Sequence, residues 1–253
     1  MTLNVTAALC IIGNEILSGR TQDRNIAFLG NGLNEIGIQL LEVRIVPDIR
    51  DEIVDAVNAL RARYDYVFTT GGIGPTHDDI TPESIAAAFG TEWHYHPESF
   101  RRMAAWYDGR GQEFTEARKR MTITPVGAEL VDNTVSIAPG FRMDNVFVFA
   151  GVPQIMRSMF EAAKPSLRRG TVIHSRSLST HLAEGVLAEG LGAVQQRFPE
   201  LDLGSYPFYN TEKGTGVALV VRGADRGRID AAAAEIFTFV EELGGEVIED
   251  NAN

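Results

Sequence analysis

The chain has 253 residues, of which 44% are hydrophobic and 23% charged, a composition typical of a globular protein with a sizeable core. Its longest apolar runs have the length of a β-strand and fall short of the roughly 18 residues that a membrane-spanning helix needs, so we expect no membrane partner. The net charge of -11 disfavours a nucleic-acid partner, because phosphate backbones are bound by clustered Lys and Arg side chains.

The first part of the chain alternates between predicted strands and predicted helices. Residues 5–12 are almost continuously apolar, as expected for a parallel strand that is covered on both faces. A loop is predicted over 13–24. Residues 25–36 then carry apolar side chains at helical spacing, and Gly37 favours the end of that helix. A second strand is predicted over 38–46.

The next elements carry capping signals. Asp48 is predicted to cap a helix that includes Ile53 and Leu60. A third strand, predicted over 66–70, leads directly into a glycine-rich loop. Thr81-Pro82-Glu83 then has the residue types of a helix start, with Thr81 as the N-cap.

Further helices and one more strand complete this first region. Residues 97–121 predict helical structure that breaks near Asp108 and Gly109, and a strand over 145–150 is followed by a helix that starts near Pro153. The resulting βαβαβα order predicts a three-layer α/β/α fold around a mostly parallel sheet.

The pattern changes after Gly170. Its predicted elements are a strand over 171–178, a helix over 180–198, strands over 202–206 and 217–221, a helix over 225–243 and a strand over 246–249. This βαββαβ order is typical of a small α+β, ferredoxin-like domain. We therefore predict two domains, 1–168 and 169–253.

The single cysteine and the first residues bear on the cellular compartment. Cys10 excludes an intramolecular disulfide, and its apolar strand context favours a buried, unreactive thiol. The chain starts without the basic stretch of a signal peptide. We expect a cytoplasmic protein.

Two loops at predicted strand ends, the place where open α/β sheets bind ligands, are rich in residue types that do chemistry. The first, 13–20, contains Gly13 and Glu15. The second, 71–79, reads Gly-Gly-Ile-Gly-Pro-Thr-His-Asp-Asp and is called the glycine loop below. Its glycines allow a close backbone approach to a ligand, and its N–H groups could cradle an anion.

Asp78 and Asp79 add two carboxylates to the glycine loop. Carboxylates beside a phosphate cradle suit a Mg²⁺-like cation, which would polarise a phosphoryl group or activate a water. Glu15 could complete the metal shell or act as a base. The alternative interpretation is a tight turn followed by acidic residues at a helix start, since glycine-rich loops are common.

Other motifs point less clearly to a site. The loop is not a phosphate-binding Walker loop, because Lys is absent from 1–100, and it lacks the spacing of a dinucleotide fingerprint. His94 and His96 could share one face of a strand and bind a metal, but no third ligand is visible, which favours an ordinary exposed pair. His77 could contact a ligand or face solvent.

Surface charge is the favoured interpretation of several arginines that could also contact phosphate, namely Arg20, Arg24, Arg118 and Arg120.

The motifs of both loops resemble the molybdopterin-binding (MogA/MoaB-type) domain of molybdenum-cofactor biosynthesis. The matching residues are Gly13-x-Glu15-Ile16-Leu17-x-Gly19, Asn25 and Thr70-Gly71-Gly72-Ile73-Gly74-Pro75-Thr76-x-Asp78-Asp79-x-Thr81. Weaker matches extend the resemblance over about 5–165, closest to the N-terminal domain of competence/damage-inducible protein A (CinA) and its stand-alone relatives. The remainder resembles the small second domain of those relatives rather than an amidase domain.

The resemblance implies specific roles at matching positions. Asp78 and Asp79 would bind a metal or act in catalysis, with Glu15 as a supporting carboxylate. The implied ligand-binding residues are Gly13, Asn25, Gly71, Gly72, Gly74, Pro75 and Thr76. It also implies self-association, which predicts a homo-oligomer.

Three functional hypotheses follow from the resemblance. The first is a nucleotide pyrophosphatase that cleaves the diphosphate of ADP-ribose or FAD-type molecules with Mg²⁺, Mn²⁺ or Co²⁺. The second is a molybdopterin-binding protein of molybdenum-cofactor biosynthesis with little turnover. The third, a degenerate domain kept for protein contacts, is disfavoured by the intact glycine loop. The expected partner is a small-molecule nucleotide or pterin.

Overall fold

A computed structural model describes residues 4–210 and 214–249 of the chain. The described residues form two compact units that divide between Thr171 and Val172. Among the described helices, none is long and apolar enough to cross a membrane.

The first unit contains eight strands and seven α-helices among its described residues. Its strands are β1 (Val5–Ile12), β2 (Ile38–Val46), β3 (Tyr66–Thr70), β4 (Trp93–Tyr95), β5 (Ile123–Pro125), β6 (Glu129–Val131), β7 (Gly140–Met143) and β8 (Val146–Phe149). Its α-helices are α1 (Asn14–Leu17), α2 (Asn25–Asn34), α3 (Arg50–Arg61), α4 (Thr81–Ala88), α5 (Pro97–Asp108), α6 (Glu116–Arg120) and α7 (Pro153–Ala163). A short 3-10 turn, Lys164–Ser166, follows α7.

Six of these strands form one mixed sheet in the order β2-β1-β3-β8-β7-β6. The four strands β2, β1, β3 and β8 run parallel, and β7 and β6 extend the sheet in antiparallel pairing. The hairpin between β7 and β8 turns at Asp144, whose φ of 52° is one that Asp tolerates better than most residues. The expected mostly parallel sheet is confirmed.

β1 shows why the sheet is covered on both faces. Val5, Ala7, Leu9 and Ile11 pack on one side, in a core that also contains side chains of α2 and α7. Ala8, Cys10 and Ile12 pack on the other side, against α3 and α4. Because successive strand residues point to opposite faces, a continuously apolar strand supplies both cores, and the three-layer α/β/α fold is confirmed.

Two predicted helix caps are wrong. α3 begins at Arg50, after the N-cap Ile49, and the Asp48 carboxylate instead accepts the backbone N–H of Asn14 at 2.8 Å. Thr81 is the first residue of α4 rather than its N-cap, and its hydroxyl donates to the Gly71 carbonyl at 3.0 Å. In both cases a long-range hydrogen bond uses the side chain that local capping would need.

The second unit contains β9 (His174–Thr180), α8 (Glu184–Arg197), β10 (Asp202–Asn210), β11 (Gly214–Gly223), α9 (Arg226–Glu242) and β12 (Val247–Glu249). Its strands form an antiparallel sheet in the order β10-β11-β9-β12. Side chains of α8 and α9 pack on this sheet around Leu219 and Val221. The expected βαββαβ order of a ferredoxin-like domain is confirmed.

Candidate functional site

The carboxyl ends of β1, β3 and β8 bring three loop segments together. The N–H of Gly71, directly after β3, donates to the Phe149 carbonyl at the end of β8 at 3.1 Å. A Cβ atom added to Gly71 would lie 2.1 Å from the Ile12 carbonyl oxygen, and one added to Gly151 would lie 3.4 Å from the Gly71 Cα. The glycine loop therefore lies between the ends of its two neighbouring strands.

This position is a topological switch point. β1 has β2 on one side and β3 on the other. The helix after β1 packs on one face of the sheet, and the helix after β2 packs on the opposite face. Loops that leave neighbouring strands toward opposite faces open a crevice between them, which is where open α/β sheets bind ligands.

Two positions of the glycine loop accept only glycine. Gly71 and Gly72 have φ values of 104° and 67°, which L side chains rarely adopt. A Cβ atom on Gly72 would also lie 2.1 Å from the Thr81 hydroxyl oxygen. These glycines let the backbone fold back on itself, and the Thr81 N–H donates to the Gly72 carbonyl at 3.0 Å to close the turn.

The tip of the loop gathers three oxygen-bearing side chains. The hydroxyl oxygen of Thr76 lies 2.6 Å from Asp78 Oδ1 and 2.5 Å from Asp79 Oδ2. The Thr76 N–H also donates to Asp79 Oδ2 at 2.8 Å. A Cβ atom on Gly74 would lie 2.6 Å from that same Asp79 oxygen, so Gly74 leaves room for the carboxylate.

The side chains at this tip carry negative charge and are accessible to solvent. Pro75, Thr76 and Asp78 are exposed and Asp79 is half-buried. The hydrogen bond from the Thr76 hydroxyl, with further help from the backbone N–H of Asp78 and from His77, holds the pKa of Asp78 below its ordinary value. His77 itself faces solvent, with its side chain 98% exposed.

The donor set suits a hard cation only in part. The Thr76 hydroxyl has one proton and lies within hydrogen-bond distance of two carboxylate oxygens, one of Asp78 and one of Asp79. Clustered oxygens of this kind are the ligands that Mg²⁺ binds together with waters and substrate phosphates. Within the described ranges, however, no three His, Cys, Asp or Glu side chains form a metal-binding cluster. In this arrangement Glu15 does not form a three-carboxylate cluster with Asp78 and Asp79.

Glu15 lies on α1, a short helix inside the predicted 13–24 loop. Its carboxylate folds back over Gly13, where an added Cβ atom would lie 2.6 Å from both carboxylate oxygens. The Gly13 N–H donates to the Val46 carbonyl at 3.1 Å, which fixes the start of this loop to the end of β2. Gly13 thus leaves room for the Glu15 carboxylate, and Glu15 itself is exposed.

Asn25 connects α2 to the turn after β8. It is 3% exposed, and its Nδ2 donates to the Gly151 carbonyl at 3.0 Å. Asp23 accepts the N–H groups of Asn25 and Ile26 through Oδ1, which caps the start of α2. Asn25 therefore positions the Gly151 turn, which contacts Gly71.

Comparison with known proteins places this geometry in a family. The family described as "Probable molybdopterin binding domain" matches residues 8–169. The chain belongs to this family. A second family, described as "FAD synthase, middle domain", matches residues 172–250.

Several known proteins are similar to this chain. A protein of Aeropyrum pernix is 34% identical to this chain over 95% of the chain and 96% of that protein. A "Probable FAD synthase" of Caenorhabditis briggsae is 33% identical over 80% of this chain but only 43% of its own length. The crystal structure of CinA from Thermoplasma acidophilum is 32% identical and covers 64% of this chain and 98% of its own, with a TM-score of 0.59. The expected CinA-like membership of the molybdopterin-binding family is confirmed.

Arg120 contacts the glycine loop, a structural role that the sequence did not assign to it. Its Nη2 donates to the Asp79 carbonyl at 2.9 Å and lies 3.1 Å from Glu83 Oε1. The pair is partly buried, so surface charge was the wrong interpretation of Arg120. Arg120 holds the end of the glycine loop to the first turn of α4. No local signal could have shown this, because Asp79 lies 41 positions away.

Arg118 and the histidine pair contact other parts of the first unit. Arg118 donates to the Glu113 carbonyl and stacks over Tyr107. His94 and His96 are half-buried with ring centroids 5.8 Å apart, so the predicted exposed pair is wrong. His96 Nδ1 accepts the Ser99 N–H at the start of α5, and burial lowers the pKa of His96.

A separate concave surface lies along α7. This cavity of about 530 Å³ is lined by residues that include Phe28, Asn133, Thr134 and Arg157, but by none of the glycine loop. Asn133 Oδ1 accepts two backbone N–H groups of the turn that follows, and the N–H of Thr134 donates to Ser158 of α7 at 2.8 Å. The cavity and the glycine loop are thus distinct features.

Proposed function

We propose that this protein is a divalent-metal-dependent nucleotide pyrophosphatase that cleaves the diphosphate of ADP-ribose or FAD-type dinucleotides. The observation that carries the proposal is the convergence of Asp78 and Asp79 on the Thr76 hydroxyl, beside a turn that only glycine can form. A carboxylate pair on a glycine-rich loop would provide for a cation, and other backbone N–H groups of that loop would provide for the phosphate that the cation accompanies.

Different groups of the glycine loop would bind the different parts of a diphosphate and its cation. Backbone N–H groups of the glycine loop would donate to one phosphate, because this loop lies at the switch point of the sheet. Asp78 and Asp79 would hold the cation, which when bound offsets phosphate charge and acidifies a water. Thr76 keeps the Asp78 carboxyl ionised by hydrogen bonding, which is the form that binds a cation.

The reaction requires one water for each diphosphate. The water oxygen bonds to one phosphorus, the bond from that phosphorus to the bridging oxygen breaks, and the bridging oxygen leaves on the other phosphate. The attacking water also gives up a proton. We assign Glu15 as the carboxylate that supports this proton transfer, since it is exposed on the neighbouring loop.

The similarity of the second unit to FAD synthase supports a nucleotide substrate. Both the family that matches 172–250 and the Caenorhabditis briggsae relative carry that name. FAD contains a diphosphate that joins riboflavin to adenosine, so similarity to FAD synthase supports a substrate that carries this group.

A second candidate function is molybdopterin binding with little or no hydrolysis. The description of the matching family favours it directly. Molybdopterin carries a phosphate, so the same N–H cradle and carboxylates would serve its binding. The two functions differ in whether a phosphoanhydride bond is broken.

The first experiment incubates the protein with ADP-ribose or FAD in the presence of Mg²⁺, Mn²⁺ or Co²⁺, and separates the nucleotide products by chromatography. We expect metal-dependent release of AMP from both substrates. Asp78→Asn should abolish the release, since the neutral amide binds a cation weakly. Asp108→Asn, an exposed position at the end of α5, is the matched control and should keep full activity.

The outcomes separate the two candidates. Cleavage that Asp78→Asn leaves intact would show that the assigned site is wrong. A complete lack of cleavage with every metal would reject the pyrophosphatase, and tight binding of molybdopterin would then support the second function.

A further inference from the structure

Both ends of the glycine loop are held to the first turn of α4. At the start of the loop, the Thr81 N–H donates to the Gly72 carbonyl at 3.0 Å. At its end, a single nitrogen of Arg120, Nη2, lies 2.9 Å from the Asp79 carbonyl oxygen and 3.1 Å from Glu83 Oε1. Because Arg120 belongs to α6, the second attachment depends on a separate element of the first unit.

The tip of the loop lies between these two attachments. Within the described part of the chain, the side chains of Thr76 and Asp78 form hydrogen bonds only inside the loop. The Asp79 carboxylate accepts from the N–H and the hydroxyl of Thr76. Since an Asp carboxylate is joined to the main chain through a single CH₂ group, any shift of the Asp79 main chain moves this carboxylate with it.

The pair of Arg120 and Glu83 is built for fixed geometry rather than for stability. The two side chains are 31% and 20% exposed. Arg120 Nε and Glu83 Oε2 are buried and have no hydrogen-bond partner among the described residues. Unpaired buried polar atoms oppose folding, and a partly buried ion pair adds little net stability. What the pair does provide is a connection of α6, the glycine loop and α4 through one guanidinium group.

α6 also provides a matched control for Arg120. The adjacent Lys119 pairs with Glu116 of the same helix, and its side chain is 28% exposed, close to the value for Arg120. Glu116 is 82% exposed, and an ion pair so accessible to solvent contributes little stability. Replacing Lys119 with Gln therefore removes one positive charge from the same helix and leaves the hydrogen bonds of Asp79 in place.

We propose that Arg120 is a positioning residue of the glycine loop. It holds the Asp79 main chain against α4 and thereby keeps the Asp79 carboxylate beside the Thr76 hydroxyl, where the proposed function places the cation. The consequence for the cation rests on that proposed function, whereas the positioning of the loop does not. Groups that orient metal ligands typically contribute about 10- to 100-fold to metal affinity, and we expect an effect of this size.

Amide hydrogen exchange of the metal-free full chain tests the positioning. In Arg120→Gln, the N–H groups of Thr76 and Asp79 should exchange at least about tenfold faster, as expected for loss of a hydrogen bond from a charged group. Arg120→Lys keeps a positively charged donor and should recover much of the protection. Lys119→Gln should exchange like the wild type at both positions.

Binding of Mn²⁺ tests the consequence for the cation. In titrations followed by electron paramagnetic resonance, Arg120→Gln should weaken Mn²⁺ binding by about 10- to 100-fold. Removal of a nearby positive charge would by itself strengthen cation binding, so a weaker affinity reports the loss of positioning. Glu83→Gln leaves Arg120 its hydrogen bond to Asp79, should have a smaller effect in the same direction, and serves as a second variant if Arg120→Gln does not fold.

The outcomes separate this inference from the proposed function. Unchanged exchange at Thr76 and Asp79 in Arg120→Gln would overturn the positioning role, and so would Mn²⁺ binding as tight as that of the wild type or tighter. If the wild-type chain itself binds no Mn²⁺, the pyrophosphatase is rejected, and faster exchange in Arg120→Gln would still support the positioning of the loop.

Discussion

Replacing Gly71 with alanine is the most direct test of how the glycine loop is built. The added Cβ atom would lie 2.1 Å from the Ile12 carbonyl oxygen, and real Cβ contacts essentially never fall below 3.0 Å. The two backbones must therefore move apart by about 0.9 Å (3.0 less 2.1). Because both partners are main-chain atoms, no side-chain rotation can relieve the overlap.

The expected cost has two parts. Alanine at a φ of 104° is strained by about 1–3 kcal/mol, and displacement of the loop weakens the hydrogen bond from Gly71 to Phe149, worth about 0.5–1.5 kcal/mol. We expect a total loss of roughly 2–4 kcal/mol in the free energy of unfolding. A shift of about 1 Å in positioning residues commonly costs about a hundredfold in function, and we expect that loss in ADP-ribose cleavage.

Urea unfolding and nucleotide cleavage measure these two effects. Gly90→Ala is the matched control, because Gly90 also has a positive φ, 63°, but nothing lies within 4 Å of its added Cβ atom. It should cost only about 1–2 kcal/mol of strain and leave cleavage unchanged. If Gly71→Ala were no more harmful than Gly90→Ala in either assay, the close approach of the glycine loop to β1 would be refuted.

Two further predictions concern protonation. Thr76→Val removes the hydrogen bond that lowers the pKa of Asp78, so that pKa should rise and the acid limb of metal binding should move to higher pH; an unchanged acid limb would contradict the role of Thr76. Burial raises the pKa of Cys10 from 9.0 to about 12, so the native thiol should resist thiol reagents at neutral pH and react rapidly only after unfolding. Because the unfolded thiol ionises first, the free energy of unfolding should also fall as the pH rises from about 9 to about 12. Rapid labelling of native Cys10 would show that β1 is not buried as described.

Much of the first unit could be predicted because its signals are local. The apolar runs that form β1, β2 and β3 were assigned with the bounds that the structure shows. The glycine loop was recognisable because its glycines, threonine and aspartates are consecutive in sequence. The βαββαβ order of the second unit followed from the same kind of local alternation.

The short strands from β4 to β7 could not be predicted in this way. Each has three or four residues, too few for a clear alternation of apolar and polar side chains. Their strand conformation is set by pairing with partners elsewhere in the chain, as when β7 joins the sheet through its hairpin with β8.

The sequence by itself determined the three layers of sheet and helices and the set of residues that make up the glycine loop, since both depend on residue types at short spacing. Only the tertiary structure decided which side chains support that loop. Thr81 and Asp48 do not cap the helices as predicted, because their side chains form other hydrogen bonds. Asn25 and Arg120 form hydrogen bonds with residues 126 and 41 positions away in the chain. Packing of the whole sheet brings such residues together, and a local sequence pattern does not indicate contacts between residues that lie so far apart in the chain.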